Sequence, residues 1–198
     1  MKILSDLVEF VSGTVQFRIK ESTDTKAITY RFYSQSDMDN DLKEIYEDKN
    51  INLMKEIRTF DNVSIVKKGD LIFNLISGRA AIVKKNYENY IFTQNFVKLE
   101  PKKKLNKEFL LYLLNEEEEI QKQFQLSLQG SKTLKYSMIQ LKNLKVFKLP
   151  SLEKQKLIGE IYIKQEKLNG LKERKLNLEK IIIKKKLKEA LKNDRIKI

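Results

Sequence analysis

From Ser151 to about Asp194 the chain runs 44 residues without a proline, and nothing else in the sequence limits the architecture as strongly. At about 1.5 Å per residue a helix over that stretch is roughly 66 Å long. Ser151 is placed to cap it, and Glu153 falls in the first turn, where the helix dipole favours an anion. Leu157, Ile161, Leu168, Leu171, Leu178 and Ile182 follow at spacings of four, seven, three, seven and four, which is a heptad seam with gaps. Lys164, Lys175 and Lys185 fill seam positions where a strong coiled coil carries leucine, so the seam is a weak zipper on its own. A rod this long has no room to bury its stripe on a domain built from the other 150 residues, so the spacing predicts helix–helix packing with a partner. The alternative is a solvated basic tail that frays past Lys184.

The remaining sequence, at 41% hydrophobic over 198 residues, supports one domain at 1–150 with the helix at 151–198 as its appendage. No apolar run reaches the length of a membrane span, and "MKILSDLVEF" acquires acids before a signal-peptide core forms, so a cytoplasmic protein is expected. The chain has no Cys and no His, which excludes disulfides, thiolate chemistry, the usual zinc site and any Ser-His or Cys-His pair. Its formal charge is +13, and the excess is uneven: residues 1–50 hold 7 basic and 10 acidic side chains, residues 101–198 hold 25 and 12. Such an excess attracts a polyanion, nucleic acid first. A lysine-rich background composition is the alternative, since only 6 of the 40 basic residues are Arg.

The first hundred residues read as mostly β. In "SIVKKGDLIFNLISGRAAIVKK", Lys68–Asp70 form a turn, "LIFNLI" a buried strand, Ser77–Gly78 a second turn and "RAAIV" the return. "YIFTQNFVKLE" adds a strand. The acidic "SQSDMDNDLKEIYEDKN" lacks clean periodicity and is expected to be loop with at most one helical turn. After Pro101 the period changes: Phe109, Leu110, Leu113, Leu114, Ile120 and Phe124 predict a helix capped by Asn106 and stopped by Gly130. "SMIQLKNL" predicts a short helix capped by Ser137, and "KVFKLP" a strand ended by Pro150. The fold class is therefore α+β, a β-rich domain with helices followed by a long C-terminal coiled-coil helix.

Enzyme signatures are missing: there is no GxGxxG, no GxxxxGK[ST] and no Asn/Asp-Pro-Pro-aromatic run. Glu173-Arg174-Lys175 has the E-x-K spacing of metal-dependent nucleases, but no Pro-Asp precedes it, and the tripeptide arises by chance in a Lys/Glu-rich helix. No catalytic residue and no metal site is predicted. The ordered set "LSDLVEFVSGTVQFRI", "VKKGDLIFNLISGRAAIV", "TQNFVKLEP", "KEFLLYLLN" and "LQGSKTLKYSMIQLKNLKVFKLPSLEKQKLIGEIY" resembles the target recognition domain and following conserved helix of specificity (S) subunits of type I restriction-modification systems. The resemblance covers nearly the whole chain, and its most specific part is the Gly-Ser loop, the strand ending in "LPSLEKQ" and the helix after it.

The resemblance implies a non-catalytic subunit that reads double-stranded DNA and binds no cofactor itself. Its partners would be a methyltransferase (M) subunit using S-adenosylmethionine and a restriction (R) subunit using ATP and magnesium. Family members are usually about twice this length, with two recognition domains and two antiparallel helices. A half-size chain reads half of a bipartite target and pairs with itself or with another S subunit. Direct readout favours Arg on guanine and Asn or Gln on adenine at exposed turns. The candidate DNA contacts are accordingly Arg79, the loop Ser131, Lys132 and Thr133, the cluster Arg31, Tyr33, Ser34 and Gln35, and the pair Gln94 and Asn95. Lys102, Lys103 and Lys104 face phosphate or solvent. The competing classes are a coiled-coil scaffold or regulator that reads no DNA, and a nuclease built on Glu173 and Lys175.

Overall fold

Leu, Ile and Phe in "LIFN" leave no polar face, so this strand has to be covered on both sides, and the domain is built around it. In the computed structural model, which describes residues 1–46, 55–128 and 135–194, β5 (Leu71–Asn74) is buried along its length. It lies antiparallel between β7 (Phe96–Pro101) and β6 (Arg79–Ile82), with β2 (Val8–Ser12) on the far side of β7. The sheet order is β2-β7-β5-β6. Gly69 (φ 88°) and Gly78 (φ 69°) take left-handed backbone at the two turns expected there. Two smaller ribbons pair β1 (Lys2–Ile3) with β8 (Lys145–Val146) and β3 (Ile28–Arg31) with β4 (Glu56–Thr59), and α1 (Leu4–Leu7) joins β1 to β2.

Helices close one side of the sheet. α3 (Lys107–Glu116) is capped by Asn106, whose Oδ1 accepts from Phe109 N at 2.8 Å, and buries Phe109, Leu110, Leu113 and Leu114. The single helix expected here is broken: Glu117 adopts extended backbone and α4 (Glu118–Leu128) starts anew. Straight continuation would carry the second apolar stripe off the sheet; the break returns Phe124 to Phe73, ring centroids 5.5 Å apart and stacked. Each such fully buried aromatic contributes about 1.5–3 kcal/mol. Gly130, the expected stop, lies outside the described residues. α5 (Met138–Lys142) has the Ser137–Gln140 capping box. The strand expected over "KVFKLP" shrinks to β8, because β1 offers only two residues to pair with.

The acidic segment is corrected from loop to helix. α2 (Gln35–Lys43) runs nine residues from a capping box in which Ser34 Oγ accepts from Asp37 N and the Asp37 carboxylate accepts from Ser34 N. Its buried face is Asp37, Met38, Asp41 and Leu42, half of it carboxylate, so hydropathy gives no helical period. Asp41 accepts from the Tyr33 and Tyr46 hydroxyls at 2.9 and 3.1 Å. Desolvation outweighs those bonds and pushes its pKa up to about 7.

α6 (Leu152–Asp194) is the 43-residue helix anticipated from the sequence, with Ser151 Oγ accepting from Lys154 N at 3.4 Å. Gln155, Gly159, Tyr162, Glu166 and Gly170 form its buried face. Gln155 fixes the root: Nε2 donates to Pro150 O and Lys104 O, and Oε1 accepts from Asn106 N. Gly159 lets the helix backbone approach α3, since a Cβ there would stand 2.5 Å from Glu108 Cβ. Gly170 does the same against α2, where a Cβ would stand 2.5 Å from Lys43 O. Ion pairs Lys43–Glu173, Glu44–Lys167 and Glu44–Lys84, each at 2.7 Å, ring that contact. Leu157, Ile161, Leu168, Leu171, Leu178 and Ile182 lie on the opposite face, 45–58% exposed. From Leu171 to Leu191 every side chain is exposed.

Candidate nucleic-acid interface

The antiparallel register decides which turns meet. Ser12 stands across from Val97, Phe96 across from Asn74, and Asn74 across from Arg79, so the end of β2, the start of β7 and the β5–β6 turn share one end of the sheet. Gly13 seals the first junction, because a Cβ there would collide with the carbonyls of Phe92 and Thr93. Thr14 N then donates to Phe92 O and Gln94 N to Thr14 O, both at 3.0 Å. Gln94 Oε1 accepts from Gln16 N at 2.9 Å, and Asn95 Oδ1 accepts from Lys135 Nζ at 2.8 Å. Leu75 N donates to Asn95 O, and Tyr136 N to Leu75 O. The Tyr136 ring covers Gly78.

Two further candidates reach the same end. Asn74, 3% exposed, donates through Nδ2 to Gln35 Oε1 at 2.5 Å and accepts from Ile76 N at 2.7 Å. Arg79 opens β6 with its guanidinium 3.8 Å from the carboxylate of Glu166 on α6. That distance is an ion pair without a close hydrogen bond, and the arginine is 42% exposed against 10% for its partner. The sheet end thus carries Gln35, Arg79, Gln94 and Asn95 together with Lys135, amides and cations of the kinds able to hydrogen-bond base edges and phosphates, with Gln35 held at both ends of its amide because its Nε2 donates to Asp39 Oδ1 at 2.8 Å.

The other candidates lie elsewhere. Tyr33 is a core residue and not a surface contact: it is 2% exposed, set edge-on against Tyr87 and Phe96, with its hydroxyl on Asp41. Ser34 is committed to the α2 cap. Arg31 sits on the β3–β4 ribbon, bonded through Nε to Glu56 Oε1 at 2.9 Å and through Nη1 to the Tyr90 hydroxyl at 3.5 Å. Lys102, Lys103 and Lys104 follow β7 at the opposite end of the sheet. Ser131, Lys132 and Thr133 lie outside the described residues. Lys135, Gln16 and Asn74 went unnoticed in the sequence because their position depends on strand register; the one available signal for Lys135 was its closeness to the Gly-Ser loop.

Among the described residues no group of acids is placed to hold a metal ion. Both carboxylate oxygens of Glu173 accept from Lys43 Nζ, at 2.8 and 2.7 Å, so the E-x-K tripeptide belongs to the helix anchor. No helix among the described residues is long and apolar enough to cross a membrane.

The family model described as the type I restriction modification DNA specificity domain matches residues 1–180. No curated protein matches the chain. Among solved structures, the HsdS subunit from Thermoanaerobacter tengcongensis superposes with a TM-score of 0.51 at 18% identity, over 86% of this chain and 37% of that one. A structure described as the basis of complex assembly and conformational transition of the type I R-M system gives 0.55 at 16%, over 95% and 43%. The S subunit from M. genitalium gives 0.47 at 17%, over 91% and 41%. For the first two the likeness is one of fold at these identities, and the chain spans about two fifths of the length of all three structures.

Proposed function

Since the chain belongs to the type I restriction-modification DNA specificity family, whose members recognise DNA and leave catalysis to other subunits, we propose that its sheet end reads one half of a bipartite DNA target. The gathering of Gln35, Arg79, Gln94, Asn95 and Lys135 at one end of one sheet carries this reading. The exposed seam of α6, facing away from the domain, pairs with the same seam on a second specificity chain, and the rod then sets the distance between two readers. An M subunit using S-adenosylmethionine and an R subunit using ATP and magnesium supply the chemistry. Pairing with an identical chain yields a palindromic target with a fixed spacer.

The test is selection from a pool of randomised duplexes, with the protein alone and together with a co-expressed M subunit. Enrichment of a short motif repeated across a constant spacer is the expected result. A pool that stays random under both conditions sinks the DNA-reading role and favours the coiled-coil scaffold.

A further inference from the structure

Phe17 is 81% exposed, more than any other large apolar side chain among the described residues. Its backbone is nevertheless fixed. It is the middle residue of a one-turn 3-10 helix, Gln16–Arg18, in which Arg18 N donates to Val15 O at 3.0 Å and Ile19 N to Gln16 O at 3.2 Å. The bond from Gln16 N to Gln94 Oε1 and the bond from Gln94 N to Thr14 O fasten this turn to the candidate interface. The Arg18 guanidinium carbon lies 5.9 Å from the Phe17 ring centre. Phe17, Gln16 and Gln94 border a common cleft of about 450 Å³ that also touches Phe32 and Lys55. A phenyl ring on a fixed turn, 81% exposed, beside amides and cations and with the Arg18 guanidinium on its face, is placed to meet an external surface.

The chemistry of Gln94 narrows which surface. Gln16 N is a donor, so the atom facing it must be Oε1, and the amide orientation is determined. Oε1 keeps a second lone pair, and Nε2 has no partner among the described residues. A donor and an acceptor side by side match the N7 and N6 edge of adenine in the major groove, and a phenyl ring matches the C5-methyl group of thymine. We propose that Phe17 and Gln94 are specificity-determining residues that read A·T base pairs, Gln94 on the adenine edge and Phe17 on a thymine methyl, in a way that rests on the DNA-reading role proposed above.

The experiment uses the full chain, with the M subunit if selection required it, and the duplex enriched in that selection. Each thymine in turn is replaced by deoxyuridine, which removes only the methyl group, and each adenine by 7-deazaadenine, which removes only N7. The wild-type protein should lose about fourfold in affinity at one thymine, the effect of one buried carbon, and about fivefold or more at one adenine, the effect of one hydrogen bond. Phe17→Ala should bind thymine and uracil equally at that position and keep the wild-type melting temperature, and Gln94→Ala should ignore the 7-deaza substitution. Phe17→Ala that retains the thymine-over-uracil ratio overturns the assignment. So does a wild-type protein indifferent to every methyl group, or a Phe17→Ala loss that is equal on all duplexes or confined to binding of another protein. Each of these leaves DNA reading standing, whereas a pool with no enriched duplex removes both.

Discussion

Asp41 is an acid buried in the core, and Arg79 is a half-exposed cation at the end of the sheet. Burial raises the folded-state pKa of Asp41 to about 7, while in an unfolded chain an aspartate titrates near ~3.9. Between those values the folded state holds a proton that the unfolded chain has released, so stability is highest at the acid end and falls as pH rises toward 7, with a slope of at most about 1.4 kcal/mol per pH unit. Asp37, which faces the same site, adds to the upward shift. Urea unfolding at pH 5, 6, 7 and 8 should show that decline and a plateau above 7, and Asp41→Asn should flatten it; a wild-type curve flat from pH 5 to 7 would falsify the buried-acid assignment. Below about pH 5 the opposite trend enters, because hydrogen bonds from Lys167 and Lys84 hold the Glu44 carboxyl below its usual range and its contribution is lost as pH falls. Arg79 is loosely tethered to Glu166, which leaves its guanidinium free to move toward DNA in the reading role proposed above. Arg79→Ala should relax preference at one base position by roughly 1–3 kcal/mol, read by competition among single-base variants of the target. A loss spread evenly over all variants would make it a phosphate contact instead.

Between residue and molecule stand the contacts that seat α6. Glycine inside a helix costs about 1 kcal/mol relative to alanine, so Gly159→Ala and Gly170→Ala should stabilise an isolated helix. Here each glycine faces atoms at 2.5 Å from an added Cβ, and at Gly170 the nearest of them is a backbone carbonyl with no freedom to yield. Overpacking of that kind costs about 1–3 kcal/mol. Gly170→Ala should therefore lower the melting temperature by a few degrees, and a rise would mean that α6 does not rest on α2. These glycines were visible in the sequence only as helix-weakening residues; that they share a face with Gln155, Tyr162 and Glu166 emerges once the helix has something to lie against. Local signals did survive translation into structure where they act locally: the caps at Asn106, Ser137 and Ser151, the Gly69 and Gly78 turns, and the prolineless rod. α2 escaped because half its buried face is aspartate, although the Ser34–Asp37 spacing and the Met38–Leu42 pair announced it. Of the candidate interface, the amides at 94 and 95 were legible as a strand interruption. The burial of Tyr33 was not, since it arises from Asp41 eight residues on and from Tyr87 and Phe96 across the domain.

At the scale of the whole molecule, two faces of one helix have separate duties. The inner face fixes the rod to the domain, and the outer face, ending in a stretch exposed on all sides, is the one that would associate in the pairing proposed above. Leu168→Lys combined with Leu171→Lys should therefore halve the mass seen by light scattering without changing the melting temperature of the domain. An unchanged mass removes the seam from the interface, and a lowered melting temperature would contradict the separation of faces. The pairing of β1 with β8 has a consequence in time. Lys2 and Ile3 are made early, yet their partners Lys145 and Val146 lie some 140 residues later, so at about 5–20 residues per second the ribosome runs on the order of ten seconds before the ribbon can form. The reader stays open until that moment, and the rod follows it out of the exit tunnel. α6 is synthesised after β8, so its first turns, with buried Gln155 and Tyr162, close the domain, and in the pairing proposed above the exposed outer seam becomes available only as that step is completed.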